Sequence, residues 1–550
     1  MNIFDLTSSL GLSGEDVEPR SWWSGKFAEG LASRLQDRTP GRYIGVTAIN
    51  PTPFGEGKTV VTIGLAMGLC KLGKRAICTL REPSLAPVFG IKGGGAGGGQ
   101  STLIPANDIN LHFTGDLHAV ASANNLLAAM IDNHCRRGQM PPIDEKTISW
   151  RRCIDMCDKG LSQIVSGLGG YPQAPLRETG FDLTAASEVM AILALSEDLF
   201  DLRKRVGSIL VGSTPQGDPI SVQELGVAGA MTALLKDALR PNLVQTCEGT
   251  PAIVHAGPFA NIAHGNNSII ADRIALRLAD FVVTESGFGS DLGAEKLIHI
   301  KCRDRSFAPE VEVIVCTIRG IKYHSGRFDV RPGRPLPPAL QREDLEAIRE
   351  GVVNLEAHLS IVRSFGIPAV VAINRHPSDT DAEIEWLRKL AIEHGASQVA
   401  VTHAFAQGGE GSRELAEAVV QACETPGIAT PLYPLSASLE EKLDTVARRV
   451  YGADGIALSP LAERQLKRFT QRGYGGLPIC FAKTQYSLSH DPQLLGRPRG
   501  FQVPIQDARI AAGAGFVYVL AGDIMTMPGL PSEPAASRID IDPDGAIQGM

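Results

Sequence analysis

The chain has 550 residues, 43% of them hydrophobic and 21% charged, which is ordinary globular usage and excludes a largely disordered protein. Its net charge is −7, with 60 acidic residues against 53 basic ones, so it lacks the basic footprint of a nucleic-acid binder. The 59 glycines follow no G-x-y period, which excludes collagen and assigns the surplus to tight turns and backbone-lined sites.

At roughly 150 residues per domain the length predicts three or four folding units. The opening stretch, MNIFDLTSSLGLSGEDVEPR, has no charged-then-apolar export pattern, and apolar runs such as Val60–Cys70 are too short to span a bilayer. The ten cysteines are scattered and read as reduced thiols. The expectation is a cytoplasmic protein with no membrane or nucleic-acid partner.

Short Val/Ile-rich runs alternate with longer helical patterns. Strands are predicted at 42–49, 75–80, 208–212, 252–256, 281–284, 311–317, 368–373, 398–403 and 516–521, and helices at 58–72, 270–280, 343–365, 381–395 and 412–423. This alternation predicts an α/β fold: a P-loop domain on a mostly parallel sheet, with two further α/β domains around a cleft. The expected units are 1–130, completed by 311–365, then 131–310 and 366–550. Residues 331–338 (RPGRPLPP) and the chain from 528 onward read as loops.

Ligands of open α/β sheets gather at the carboxyl ends of the strands. Six of these ends are polar or glycine-rich here: NPTPFGEGKT, REPS, GPFANIAHGNNS, ESGFGSDLGAEK, NRHPSD and AFAQGGEG. The first contains Thr52, Pro53, Phe54, Gly55, Glu56, Gly57, Lys58 and Thr59, a Walker-type loop between strand and helix, although Thr52 stands where the first glycine is usual. Its backbone amides and the helix start suit phosphate, Lys58 reaches the β and γ phosphates, and the Thr59 hydroxyl suits Mg²⁺. A helix-capping turn is the plain alternative. Arg81, after the next strand, is either a bidentate clamp for a phosphoryl group or carboxylate, or a surface ion pair. Residues 92–99, KGGGAGGG, are either a linker or an active-site loop.

With these segments in place, the sequence resembles formate–tetrahydrofolate ligases along nearly its whole length. The resemblance rests on TPFGEGKT (52–59), LREPSLAPVFGIKGGGAGGG (80–99), DINLHFTGDLHAV (108–120), RETGFDLTAASEVMA (177–191), HAGPFANIAHGNNSI (255–269), TESGFGSDLGAEKL (284–297), AKTQYSLSHDP (482–492) and TMPGLP (526–531). It implies an ATP-dependent ligase that makes formyl phosphate and passes the formyl group to N10 of tetrahydrofolate. It further implies Mg²⁺, a monovalent cation activator and a homotetramer. Lys58 and Arg81 become the expected catalytic residues. His255, Asn261 and His264 are expected near formate or formyl phosphate, with a structural histidine as the alternative. A pterin slot is expected between Phe288 and Phe405, with His376 the next candidate. Phe405 stands where a Trp is usual and His376 where an aromatic is common; Val60, Gln100, Ser101 and Asn266 also depart from the family pattern.

Weaker signals carry less. Cys153 and Cys157, at i and i+4, read as thiols sooner than zinc ligands. His112, Asp116 and His118 read as substrate or supporting groups. Competing functions are another P-loop carboxylate-activating ligase, of the dethiobiotin synthetase kind, and a P-loop switch protein. A nicotinamide dehydrogenase lacks a placed fingerprint.

Overall fold

The computed structural model describes residues 1–92, 94–170, 174–303, 306–330, 336–522 and 526–550. Most of the loop expected at 331–338, and Gly93 of the glycine-rich run, lie outside the described residues.

A twelve-stranded sheet organises the chain. Its strands are β1 (Val17–Pro19), β2 (Gly25–Phe27), β3 (Arg42–Ala48), β4 (Ala76–Leu80), β5 (Gly97–Gly98), β6 (Ser101–Ile104), β7 (Asn242–Thr246), β8 (Pro251–Val254), β9 (Phe281–Glu285), β10 (Val311–Cys316), β11 (Ala369–Asn374) and β12 (Gln398–Thr402). The path runs β1-β2-β7-β8-β4-β9-β3-β10-β11-β12, with β6 joined to β7 and β5 to β6. From β8 to β12 all seven strands are parallel, and the strands beyond β8 pair antiparallel. Strands from all three expected segments thus join one sheet.

The parallel strands are apolar on both faces because both are covered. Val313 and Val315 pack with Ile44 and Val46 against helices α1 (Lys58–Lys71) and, late in the chain, Arg413–Ala422. The alternate residues Ile314 and Cys316 face Leu355, Leu359 and Val362 of helix Leu345–Ser364. Toward β8, Ile269–Leu278 covers that same face. Thr380 and Glu383 form a reciprocal capping box at Asp381–Glu393, the T-x-x-E pattern visible in sequence.

The strand expected at 208–212 forms as Leu210–Ser213, but it pairs only with Pro219–Ser221. The one expected at 516–521 lies in a separate three-stranded sheet with Ile479–Ala482 and Asp507–Ala511. Cys153 lies on a short strand, Arg152–Ile154, not on a helix face shared with Cys157, and all ten cysteines are free thiols. No helix among the described residues is long and apolar enough to cross a membrane.

Candidate active site

Each of the six polar or glycine-rich loops leaves the carboxyl end of a parallel strand, so one edge of the sheet gathers them. Residues 49–57 join β3 to α1. Gly57 caps α1 at φ +77°, a left-handed conformation that turns the chain so the helix start faces the loop. Lys58 and Thr59 open the helix and are half-buried. Glu56 is buried within the loop: its carboxylate accepts the Thr52 hydroxyl and the Thr317 hydroxyl, each at 2.8 Å. Burial raises its pKa, and those two hydroxyls, then Arg319 and Lys58, oppose the rise. Asn374, ending β11, donates to the Glu56 carbonyl at 3.0 Å. Arg319 lies 4.9 Å from the centre of the Phe54 ring. The loop is therefore pinned to β10 and β11.

A buried polar cluster holds the loop from below. Asn50 exchanges hydrogen bonds with Asn354 at 2.9 and 3.2 Å and donates to the Gln485 carbonyl at 3.3 Å. Asn354 also reaches the Gly496 carbonyl at 2.7 Å. Burial lowers the pKa of His358 to about 4, so this imidazole, 3.2 Å from Asn50 Oδ1, stays neutral.

On the other side of β3, the Thr59 hydroxyl donates to Glu285 Oε2 at 2.8 Å. Arg81, directly after β4, donates to the Pro258 carbonyl at 3.1 Å and lies 3.9 Å from Glu285 Oε1. Its Nε is buried without a hydrogen-bond partner, as is Asn261 Oδ1. Unsatisfied buried polar groups cost about 1–3 kcal/mol each, so the Arg81 Nε, on the residue facing Glu285, suits a small polar ligand.

The two expected formate histidines are both buried. His255 is fully buried, with Nδ1 2.6 Å from the Ser268 hydroxyl and Nε2 2.6 Å from the Ala238 carbonyl, and burial drops its pKa to about 3. Both nitrogens are thus engaged in the core. His264 is likewise fully buried. Asp116 pairs with buried Lys26 at 2.8 Å and accepts from Asn242 at 2.9 Å. Among the described residues no three His, Cys, Asp or Glu side chains cluster as a metal site.

Phe288 is half-buried at φ +61°, and Ala256 and Phe113 have φ of +52° and +40°. Non-glycine residues hold such conformations only where surrounding structure enforces them, and they gather at functional sites. Phe405 is 59% exposed on the short helix Ala404–Gln407 after β12. His376, after β11, is half-buried, and desolvation followed by neighbouring Arg319 lowers its pKa to about 4. Phe288 follows β9, so β3, β10 and β11 lie between its strand and that of Phe405, whereas His376 and Phe405 follow adjacent strands.

Glu285, Thr317, Arg319 and Asn374 were not singled out from the sequence. Their position was the available signal: Glu285 and Asn374 are the last residues of their strands, and Thr317 follows directly on its own.

The sequence profile of the formate–tetrahydrofolate ligase family matches residues 1–550. The formate–tetrahydrofolate ligase of Roseiflexus sp. (strain RS-1) is 54% identical over 548 residues, covering 100% of this chain and 97% of that protein. That of Desulforamulus reducens is 53% identical over 548 residues, with the same coverage. That of Saccharopolyspora erythraea is 50% identical over 546 residues, covering 99% of this chain and 96% of the relative. The chain belongs to the formate–tetrahydrofolate ligase family and is a ligase.

Proposed function

We propose that the protein joins formate to tetrahydrofolate at the cost of ATP, through formyl phosphate. The observation that carries this reading is the meeting of a Gly-Lys-Thr phosphate loop with Arg81 across Glu285, which touches Thr59 at 2.8 Å and lies 3.9 Å from the Arg81 guanidinium, whose Nε is buried and unsatisfied. A formate oxygen attacks the γ phosphorus of ATP and ADP leaves. N10 of tetrahydrofolate then attacks the formyl carbon, phosphate departs with the bonding electrons, and N10 loses its proton. In this scheme the amides of 55–59 and Lys58 hold the polyphosphate, and Arg81 faces the anhydride oxygens. Such transfers are accelerated chiefly by positioning and charge neutralisation.

Mg²⁺ fits the residues present. Thr59 and Glu285 offer a hydroxyl and a carboxylate in contact, and Mg²⁺ is commonly held by one or two carboxylates plus substrate phosphates. When bound it would neutralise phosphate charge.

For the pterin we propose Phe405 and His376 as the two walls. Strands are spaced ~4.8 Å apart, so the carboxyl ends of β9 and β12 are roughly 19 Å apart, against ~5 Å for β11 and β12. A ring stacked between two walls needs about 7 Å, which the adjacent strands approach more closely. His376 held neutral presents an uncharged flat ring. The homotetramer and monovalent activator rest on the resemblance, and sedimentation and activity in K⁺ against a tetraalkylammonium salt test them. The central test is ADP release with ATP, formate and tetrahydrofolate, each omitted in turn; full ADP release without formate would overturn the reading.

A further inference from the structure

The proposed pterin wall, Phe405, sits on a helical piece of four residues, Ala404–Gln407. One turn cannot hold its own conformation in water. The direction of an exposed ring on such a piece is set by what clamps the backbone around it.

That clamp comes from far away in sequence. The Gln100 amide donates to the Phe405 carbonyl at 2.8 Å, and the Ser101 hydroxyl donates to the Ala404 carbonyl at 2.8 Å. Gly99 lies under Phe405 so closely that a Cβ there would fall 2.1 Å from the Phe405 carbonyl oxygen. The other end of the turn is held by Glu248, on the connection between β7 and β8. Its Oε1 accepts the Gly409 amide at 2.8 Å, and its Oε2 pairs with Lys71 at 2.9 Å. Lys71 is the last residue of α1, the helix that starts at the phosphate loop. The neighbouring Cys247 thiol donates to the Gln100 carbonyl at 3.1 Å, tying the same connection to the strip that meets Phe405.

We propose that Glu248 is a positioning residue for tetrahydrofolate: by holding the Gly409 amide it fixes the turn that aims Phe405, and through Lys71 it links that turn to the far end of the phosphate-loop helix. This rests on Phe405 being a pterin wall. A carboxylate–amide hydrogen bond is charge-assisted and stronger than a neutral one. The side chain remains 26% exposed, so the contact is not a core anchor whose loss would unfold the sheet.

The test compares Glu248→Ala, Glu248→Gln, Phe405→Ala and the double variant Glu248→Ala/Phe405→Ala, measuring tetrahydrofolate KM, kcat and ATP Kd. Glu248→Ala should raise the tetrahydrofolate KM about tenfold, with kcat at saturating folate and ATP Kd retained. Glu248→Gln should fall between wild type and Glu248→Ala, because its amide oxygen still accepts the Gly409 N–H but loses the charge and the Lys71 pair. The double variant should bind folate no more weakly than Phe405→Ala alone. If Glu248→Ala does not fold, Glu248→Asp, which keeps the charge and withdraws the oxygen by one methylene, is read in its place. Additive losses in the double variant, an equal loss of ATP affinity, or a Glu248→Gln as impaired as Glu248→Ala would each overturn the inference. A Phe405→Ala that leaves folate affinity intact would instead overturn the pterin assignment. A Phe405→Ala effect without any Glu248→Ala effect would overturn the role of Glu248 alone.

Discussion

The Thr59 hydroxyl and the Glu285 carboxylate meet at 2.8 Å, one from the first turn of the phosphate-loop helix and the other from the last position of the neighbouring strand. Glu285 also faces Arg81 at 3.9 Å, so one carboxylate stands between the proposed Mg²⁺ hydroxyl and the proposed anhydride clamp. Glu285→Gln keeps the shape and removes the charge. It should raise the Mg²⁺ concentration for half-maximal activity and lower kcat, together about 10- to 100-fold, the usual effect of losing a group that supports a metal site. Mg²⁺ titrations at saturating ATP decide it, and an unchanged Mg²⁺ requirement would remove Glu285 from the metal site.

Lys58→Ala should abolish turnover while leaving the fold intact, because it removes charge that follows the migrating phosphoryl group, commonly worth about 3–4 kcal/mol. Arg81→Ala should depress kcat more than ATP affinity, since its contacts tighten as the anhydride forms. The readouts are kcat and ATP Kd for each variant. An Arg81→Ala that loses only ATP affinity would make Arg81 a nucleotide ligand.

Phe405→Ala should weaken tetrahydrofolate binding by about 30- to 150-fold, from roughly 2–3 kcal/mol of stacking and buried area. Phe405→Trp should be tolerated. His376→Phe should hold or tighten folate binding, and Phe288→Ala should spare it. Equilibrium folate titrations, with ATP Kd as the control, separate the two pairs of walls: a loss in Phe288→Ala with none in His376→Ala restores the pair Phe288 and Phe405.

A pH effect follows from Glu312, the second residue of β10. It is fully buried, and neither carboxylate oxygen has a hydrogen-bond partner. A Cβ on Gly45 of the adjacent strand would fall 2.0 Å from its Oε2, so only glycine leaves room for this side chain. Burial pushes its pKa up to about 8, from an ordinary 4.5. Because the folded value is the higher one, the folded state binds more protons than the unfolded state between these values. Stability is full below about pH 4.5, falls as pH rises toward 8, and stays at the lower level above it. Glu312→Gln should remove this slope, worth up to a few kcal/mol. Denaturant midpoints at pH 5 and pH 9 check it; equal slopes in both proteins would show that Glu312 does not ionise on this range.

The phosphate loop was legible because strand, Gly-Lys-Thr and helix are contiguous, and the parallel strands because Val/Ile runs covered on both faces are uniformly apolar. Each expected strand from 42 to 49 through 398 to 403, apart from 208–212, lies in the central sheet. The helix Asp116–Arg137 was missed, since polar residues such as His118, Asn124 and Asn125 interrupt its apolar stripe of Leu117, Val120, Leu127 and Ile131. Strand β7 was missed because Asn242, Gln245 and Thr246 are polar, yet all are buried in the sheet. The order of strands is a non-local property, so no local pattern could say that the strands before His376 and Phe405 are adjacent while the strand before Phe288 is not. The engagement of His255 in the core was equally hidden, depending on Ala238 and Ser268 from other segments.

The insertion of β9 between β3 and β4 has a consequence for biosynthesis. The two earlier strands come off the ribosome within 80 residues of the start, but their shared neighbour ends only at residue 285. At ~5–20 residues per second, the nascent chain carries β3 and β4 with open inner edges for roughly 10–40 s. Unpaired strand edges are templates for association with other chains. The interval leaves these edges open to association with other nascent chains well before the phosphate-loop sheet can close.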